Sequence, residues 1–136
     1  MLFVCLDEVG GMMFNKRRQS KDCMIRKDIF QMIKEESLYV NGYTAKQFTE
    51  EEQGRLIVDE DCLAHVKDGY VFVENAEISA YGDQIEEIVV YRWKRTYPAD
   101  FFCDIDLSTS DWELISTEEF VGNSHEVIGK EIYRKK

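Results

Sequence analysis

The order of apolar runs constrains this chain more than any single residue does. Leu2-Phe3-Val4-Cys5-Leu6 is a short, unbroken apolar run of the kind a buried strand carries. Asp7-Glu8-Val9-Gly10-Gly11 reads as a turn, because paired glycines admit positive φ. A polar, basic stretch runs to about Lys21. Apolar residues Met24, Ile25, Ile29, Met32 and Ile33 then recur near helical spacing, which predicts an amphipathic helix over 23–35 with Asp22 as its N-cap. Leu38-Tyr39-Val40 and Arg55-Leu56-Ile57-Val58 read as short strands. Between them Thr44 is expected to cap a helix to about residue 51, with Gln47 completing a capping box. A helical turn over 62–66, a strand over 70–73 and a short helix over 76–81 follow. After that the helices stop, and 85–93, 112–119 and 126–134 are strand candidates in direct succession. Strands alternating with helices imply parallel crossovers, and strands in succession imply antiparallel additions. The expected class is α/β: a mixed, mainly parallel sheet flanked by helices, with a C-terminal antiparallel hairpin. At 136 residues the chain is long enough for a real core, and one domain over 1–136 is expected.

Charge and motif content exclude several functions. The net charge of −10 repels nucleic acid and anionic membranes, so neither is expected as a partner. The charge is uneven: Lys16 to Lys34 holds seven bases and two acids. Lys16-Arg17-Arg18 reads first as a solvated basic loop, with binding of an anion such as a phosphorylated metabolite or an RNA end as the alternative. No apolar run is long enough to cross a bilayer, and residues 2–6 are too short for a signal-peptide core, so a cytoplasmic location is expected. The four cysteines are scattered without a CxxC pair, which argues against a zinc or thioredoxin-type site; Cys5 and Cys103 are expected as buried thiols. Two lone histidines, His65 and His125, argue against metallo-hydrolases built on clustered histidines, and no metal site is expected. His125 reads as the start of the last strand, and Glu50-Glu51-Glu52 as a helix C-terminus or loop. Neither a GxSxG elbow nor a P-loop is present.

Specific segments go further. Val4-Cys5-Leu6-Asp7 is followed by Gly11-Met12-Met13-Phe14-Asn15. Later come Val71-Phe72-Val73-Glu74-Asn75-Ala76-Glu77-Ile78, Ile88-Val89-Val90-Tyr91-Arg92-Trp93, Ala99 to Leu107, Trp112-Glu113-Leu114-Ile115-Ser116, Asn123-Ser124-His125 and Glu131-Ile132-Tyr133-Arg134-Lys135. In this order they resemble the dihydrofolate reductase family, over nearly the whole chain, weakly in the middle and best at both ends. The resemblance implies a catalytic carboxylate at a helix start after the first loop. Asp28, followed by Ile29 and Met32, and Asp22, at the expected helix start, both stand for it; the alternative is that Asp22 only caps the helix and Asp28 is a solvated face residue. Arg55 matches the family's arginine that grips the substrate's carboxylate, a task that suits a guanidinium fork; the alternative is an exposed arginine at a strand start. Cys5 and Met32 complete the implied substrate cleft.

On the cofactor side the same resemblance breaks. Asn41-Gly42-Tyr43-Thr44 keeps Gly42 and Thr44 of the family's Gly-Arg-x-Thr but has no base. The family's Gly-Gly is Glu74-Asn75, which sets side chains and a negative charge where a pyrophosphate approaches a helix N-terminus. The segment after Arg55 is short and carries Asp59-Glu60-Asp61, which repels a 2′-phosphate. All three losses concern one ligand, NADPH. The chain therefore reads as a reductase fold without the usual cofactor site, binding a small ligand or a protein partner through the old substrate cleft. The alternative is a minimal NADPH-dependent reductase of dihydrofolate or a related pterin-like heterocycle, with the cofactor around Gly42, Thr44, Glu74 and Asn75. The shortened lobe is also expected to expose apolar sheet, which a homodimer would cover.

Overall fold

A computed structural model describes residues 1–136. In chain order the elements are β1 (Leu2–Leu6), β2 (Gly11–Phe14), β3 (Arg17–Arg18), α1 (Cys23–Ile33), β4 (Leu38–Val40), α2 (Gly42–Ala45), α3 (Glu50–Gln53), β5 (Leu56–Val58), a 3-10 turn (Cys62–His65), β6 (Tyr70–Phe72), a second 3-10 turn (Ser79–Gln84), β7 (Glu87–Arg92), β8 (Phe101–Phe102), β9 (Trp112–Phe120) and β10 (Ile128–Lys135). The main sheet has seven strands in the order β5-β4-β6-β1-β7-β10-β9. β5, β4, β6, β1 and β7 run parallel, and β10 is antiparallel to both β7 and β9. This is the mixed, mainly parallel sheet with a C-terminal antiparallel hairpin that the run order implies.

Strand alternation splits the core into two layers. Phe3, Val89 and Tyr91 face α1, which answers with Ile25, Ile29 and Ile33 at four-residue spacing. Leu2, Val4, Leu6, Ile88 and Val90 face the other way, against Leu63, Ile78 and Trp112. Ile29 is fully buried, and its truncation to alanine costs about 3 kcal/mol. No helix is long and apolar enough to cross a membrane.

Several local expectations are corrected. Asn41, not Thr44, caps α2, its side chain accepting from Thr44 N at 2.9 Å. Thr49 caps α3 with Glu52 as the reciprocal partner, so Glu50-Glu51-Glu52 opens a helix, where the dipole favours acids. The short helix expected over 76–81 is a 3-10 turn starting at Ser79. β10 starts at Ile128, which leaves His125 in the β9–β10 loop. Cys5 and Cys103 are half-buried, and the buried thiol is Cys62. The basic stretch is a hairpin: Phe14 pairs with Arg17 across Asn15-Lys16, both at positive φ (51° and 61°), as a two-residue turn between twisted strands requires. With β8 it makes a second, three-stranded sheet.

The parallel strands end together at one edge of the sheet. Asp7, Asn41, Asp59, Glu74 and Trp93 all lie just past a carboxyl end there, the edge at which open α/β sheets take ligands.

Candidate functional site

Asp7 organises this edge. Its buried carboxylate accepts from Val9 N (2.9 Å), Gly11 N (2.8 Å), Gln19 Nε2 (2.9 Å) and Tyr97 N (3.2 Å). One side chain thus pins the β1–β2 turn, the segment before α1 and the loop after β7. Gly11 is required by this closeness, because a Cβ there would sit 2.6 Å from Asp7 Oδ2 and 2.7 Å from the Ala99 Cβ. The β2–β3 hairpin is thereby folded back over the edge and delivers Arg18 into it.

Arg18 meets Glu74 in a two-pronged ion pair, Nε to Oε2 at 2.8 Å and Nη2 to Oε1 at 3.2 Å. The same guanidinium donates to Tyr43 O at 3.1 Å and stacks 4.5 Å over the Tyr43 ring, while Arg18 N donates to Tyr43 OH at 2.7 Å. Glu74 is only 5% exposed. Burial pushes its carboxyl above the usual range, and Arg18, then Thr44 and Gln47, pull the other way. Beside it Asn41 Nδ2 donates to Asn75 Oδ1 at 2.7 Å, and Gly42 N donates to Glu60 Oε2 at 2.7 Å. The Asn41-Gly42-Tyr43-Thr44 segment, which has no base of its own, thus has Arg18 set against it from the β2–β3 hairpin. Two carboxylates of the chain itself, Glu74 and Glu60, hold the donors.

The two acid candidates have separate surroundings. Asp28 Oδ2 accepts from Tyr91 OH at 2.6 Å and pairs with Lys130 Nζ at 2.8 Å. Lys130 is nearly buried and lies 3.4 Å from Glu118 as well. Cys5, Tyr91, Lys130 and Glu118 form one row across β1, β7, β10 and β9, beneath Asp28. Burial and the Asp28 charge push the Tyr91 phenol far up, and burial with Glu74 and Asp22 nearby raises the Cys5 thiol. Asp22 accepts from Met24 N (2.8 Å), Asn123 N (2.8 Å), Ser124 N (2.6 Å) and Ser124 Oγ (2.8 Å). Burial raises its carboxyl, but the bonds from Ser124, Met24 and Asn123 outweigh that and hold it below the usual range. Asp22 is thus the helix cap and also the tether of the β9–β10 loop. In that loop His125 stacks on Trp93, bonds Ser124 Oγ through Nδ1 at 2.7 Å and meets Tyr97 OH through Nε2 at 2.5 Å. Burial lowers its imidazole below the ordinary value, against the pull of Asp22.

Asp28 and Met32, four residues apart, share one side of α1, and Cys5 lies in the sheet beside Tyr91, the partner of Asp28; Arg55 does not join them. Its guanidinium sits 4.8 Å over Phe30 and donates through Nη2 to the carbonyls of Lys34 and Glu36. Phe30 is two residues from Asp28, about 200° around the helix. On the Arg55 side α1 is bridged to the segment after β4 by Arg26 Nε–Glu52 Oε1 (3.0 Å) and by Phe30 against Phe48 (5.7 Å). The sequence singles out Arg18 only within a basic loop, Glu60 only within an acidic run and Tyr91 only within a strand, and Lys130 not at all; their pairing with Glu74, the Gly42 amide and Asp28 is not signalled. Nothing local marks them, since their partners lie on other elements.

In comparison with solved structures, the chain superposes on dihydrofolate reductase from Enterococcus faecalis complexed with NADP(H) and RAB-propyl, with a TM-score of 0.67 over 99% of this chain and 95% of that one, at 15% identity. The chain has the dihydrofolate reductase fold. No protein-family model matches it, and no curated protein does. At 15% identity the likeness shows the fold alone, and the chemistry rests on the side chains just described.

Proposed function

We propose that this chain is a dihydrofolate reductase-fold protein that does not carry out NADPH-dependent reduction and instead works by binding a protein partner. The Arg18–Glu74 pair carries this reading. A pyrophosphate entering there has to displace Glu74 from Arg18 and leave a buried carboxylate unpaired, at a cost of several kcal/mol. Glu60 adds a second carboxylate on the Gly42 amide, so these residues are a poor fit to NADPH. The acid position favours the same reading. The Asp28 oxygen already serves Tyr91 and Lys130, and Asp22 serves four donors from its own chain. On the side of α1 that carries Arg55, the Arg26–Glu52 and Phe30–Phe48 contacts bridge the old cleft. A partner's surface suits that side better than an inserted small molecule does.

The test is a calorimetric titration of NADPH at low salt, with NADPH oxidation followed in the presence of dihydrofolate. No binding up to about 1 mM and no turnover are expected. Micromolar binding, with turnover that Asp28→Asn abolishes, would overturn the proposal and favour the minimal reductase.

A further inference from the structure

The basic stretch from Lys16 to Lys34 keeps its charge out of the fold. The chain has 27 acids against 17 bases, so no base lacks an acid for want of numbers. Yet Lys16, Arg17, Lys21, Lys27 and Lys34 are all exposed, and none lies within 4.0 Å of a carboxylate. Both acids inside the stretch are engaged elsewhere. Asp22 holds Met24, Asn123 and Ser124, and Asp28 holds Tyr91 and Lys130. The stretch therefore presents an uncancelled positive charge on a chain whose net charge is −10.

α1 makes a surface of it. Lys27 is exposed, and no acid lies three or four residues away, where it could pair along the helix: those positions are Cys23, Met24, Phe30 and Gln31. Lys34, the C-cap, comes seven residues later, so its Cα returns to nearly the same side of the helix about 10 Å further along the axis. Between the two lies Phe30, half-buried, with Arg55 stacked 4.8 Å over its ring. The acids on either flank are neutralised, Glu52 by Arg26 at 3.0 Å and Asp28 by Lys130 at 2.8 Å. Glu35 and Glu36 come only past the helix end.

We propose that this outer side of α1 docks an acidic segment of a partner protein, two carboxylates about 10 Å apart meeting Lys27 and Lys34 and an apolar side chain between them resting against Phe30. The inference rests on the reading that a partner binds the side of α1 carrying Arg55, and it gives that partner its chemistry. Size separates a protein segment from other anions. Residues 16–34 carry +5, which leaves −15 on the rest of the chain. A short segment lies within roughly one Debye length, about 8 Å at physiological salt, of the lysines and feels mainly their charge. A nucleic-acid duplex or an anionic membrane extends past them and meets the −15.

The test is fluorescence anisotropy with a labelled synthetic helical peptide of about four turns, carrying Glu at two positions seven apart and Leu midway. Wild type is expected to bind it at about 10 to 100 µM in low salt and to lose it as salt is added. Lys27→Glu with Lys34→Glu is expected to weaken binding about tenfold or more. Lys67→Glu with Lys136→Glu changes net charge by the same amount at exposed lysines elsewhere, and is expected to bind like wild type. Circular dichroism is expected to match wild type for both double variants. A peptide with Gln in place of Glu is expected not to bind. Equal losses in the two double variants would mean that bulk charge alone attracts the peptide, and would overturn the site. So would no binding up to about 1 mM, undiminished binding of the Gln peptide, or tighter binding of a DNA duplex or of phosphatidylserine vesicles. Failure here leaves the non-catalytic reading standing, because the NADPH titration tests that reading by itself.

Discussion

Glu74 and Asp28 are carboxylates that their own chain satisfies, and the two sites differ in what a mutation exposes. Arg18→Ala strands Glu74 at 5% exposure and is expected to cost about 3 kcal/mol. Removing both partners as Arg18→Ala with Glu74→Leu should cost less, since no charge is left buried. Urea unfolding of the single and double variants checks this, and a double variant weaker than Arg18→Ala alone would refute it. At the second site Tyr91→Phe deletes one bond to Asp28 while Lys130 stays, so a loss of about 1 kcal/mol is expected. Lys130→Met removes the counter-charge and should cost about twice that. Neither pair was legible in the sequence. Arg18 and Glu74 are 56 residues apart, and only the folded hairpin brings them together. The sequence has no base in Asn41-Gly42-Tyr43-Thr44 and sets Glu74 where the resemblance implies a glycine. It does not show that Glu74 is paired with Arg18.

Among the elements, α1 shows what local chemistry can and cannot announce. Its apolar spacing and its cap were legible because the cap bond spans two residues, Asp22 to Met24 N. The tether from Asp22 to Asn123 and Ser124 spans the chain and was not legible. That Thr44 does not cap α2 has a physical reason. Thr44 and Thr49 each have Gln or Glu three residues on, and Asn41 sits upstream as a better cap that displaces Thr44 into the helix. The β2–β3–β8 sheet escaped because strands of two to four residues carry too little alternation to register. The double duty of Asp22 has a pH signature. Its folded pKa lies below its unfolded one, so the unfolded state binds more protons in the window between them. The stabilisation is therefore complete above the unfolded value and is lost as pH falls below about 4 through the folded value. Asp22→Asn keeps a capping acceptor and cannot titrate, so its stability should fall less steeply on the acid side than wild type. Asp22→Ala should lose about 1 to 2 kcal/mol at neutral pH. Unfolding midpoints against pH measure both, and superimposable acid limbs for wild type and Asp22→Asn would reject the assignment.

For the whole molecule, the fold was readable because the order of strands and helices is a property of the entire chain, and a solved structure shares that fold at 15% identity. The exclusion of a dinucleotide proposed above is just as distributed. Glu74 holds Arg18, Glu60 holds the Gly42 amide, Asn75 is tied to Asn41, and the chain carries −10 overall. Reverting one of these cannot restore an anion site, because the others still act on the same ligand. Glu74→Gly alone is therefore expected to leave NADPH binding undetectable up to about 1 mM. With Glu60→Gln and Asn75→Gly added, Arg18 and the Gly42 amide are both released, and two negative charges are gone. Binding should then rise into the range of about 0.1 to 1 mM and weaken with added salt, since exposed charges drive it. Calorimetry at low salt separates the cases. A wild type that binds as well as the triple variant would mean that the two carboxylates exclude nothing. A triple variant without heat would shift the cause to the short stretch between β5 and β6, where Asp59 and Asp61 still face any approaching phosphate.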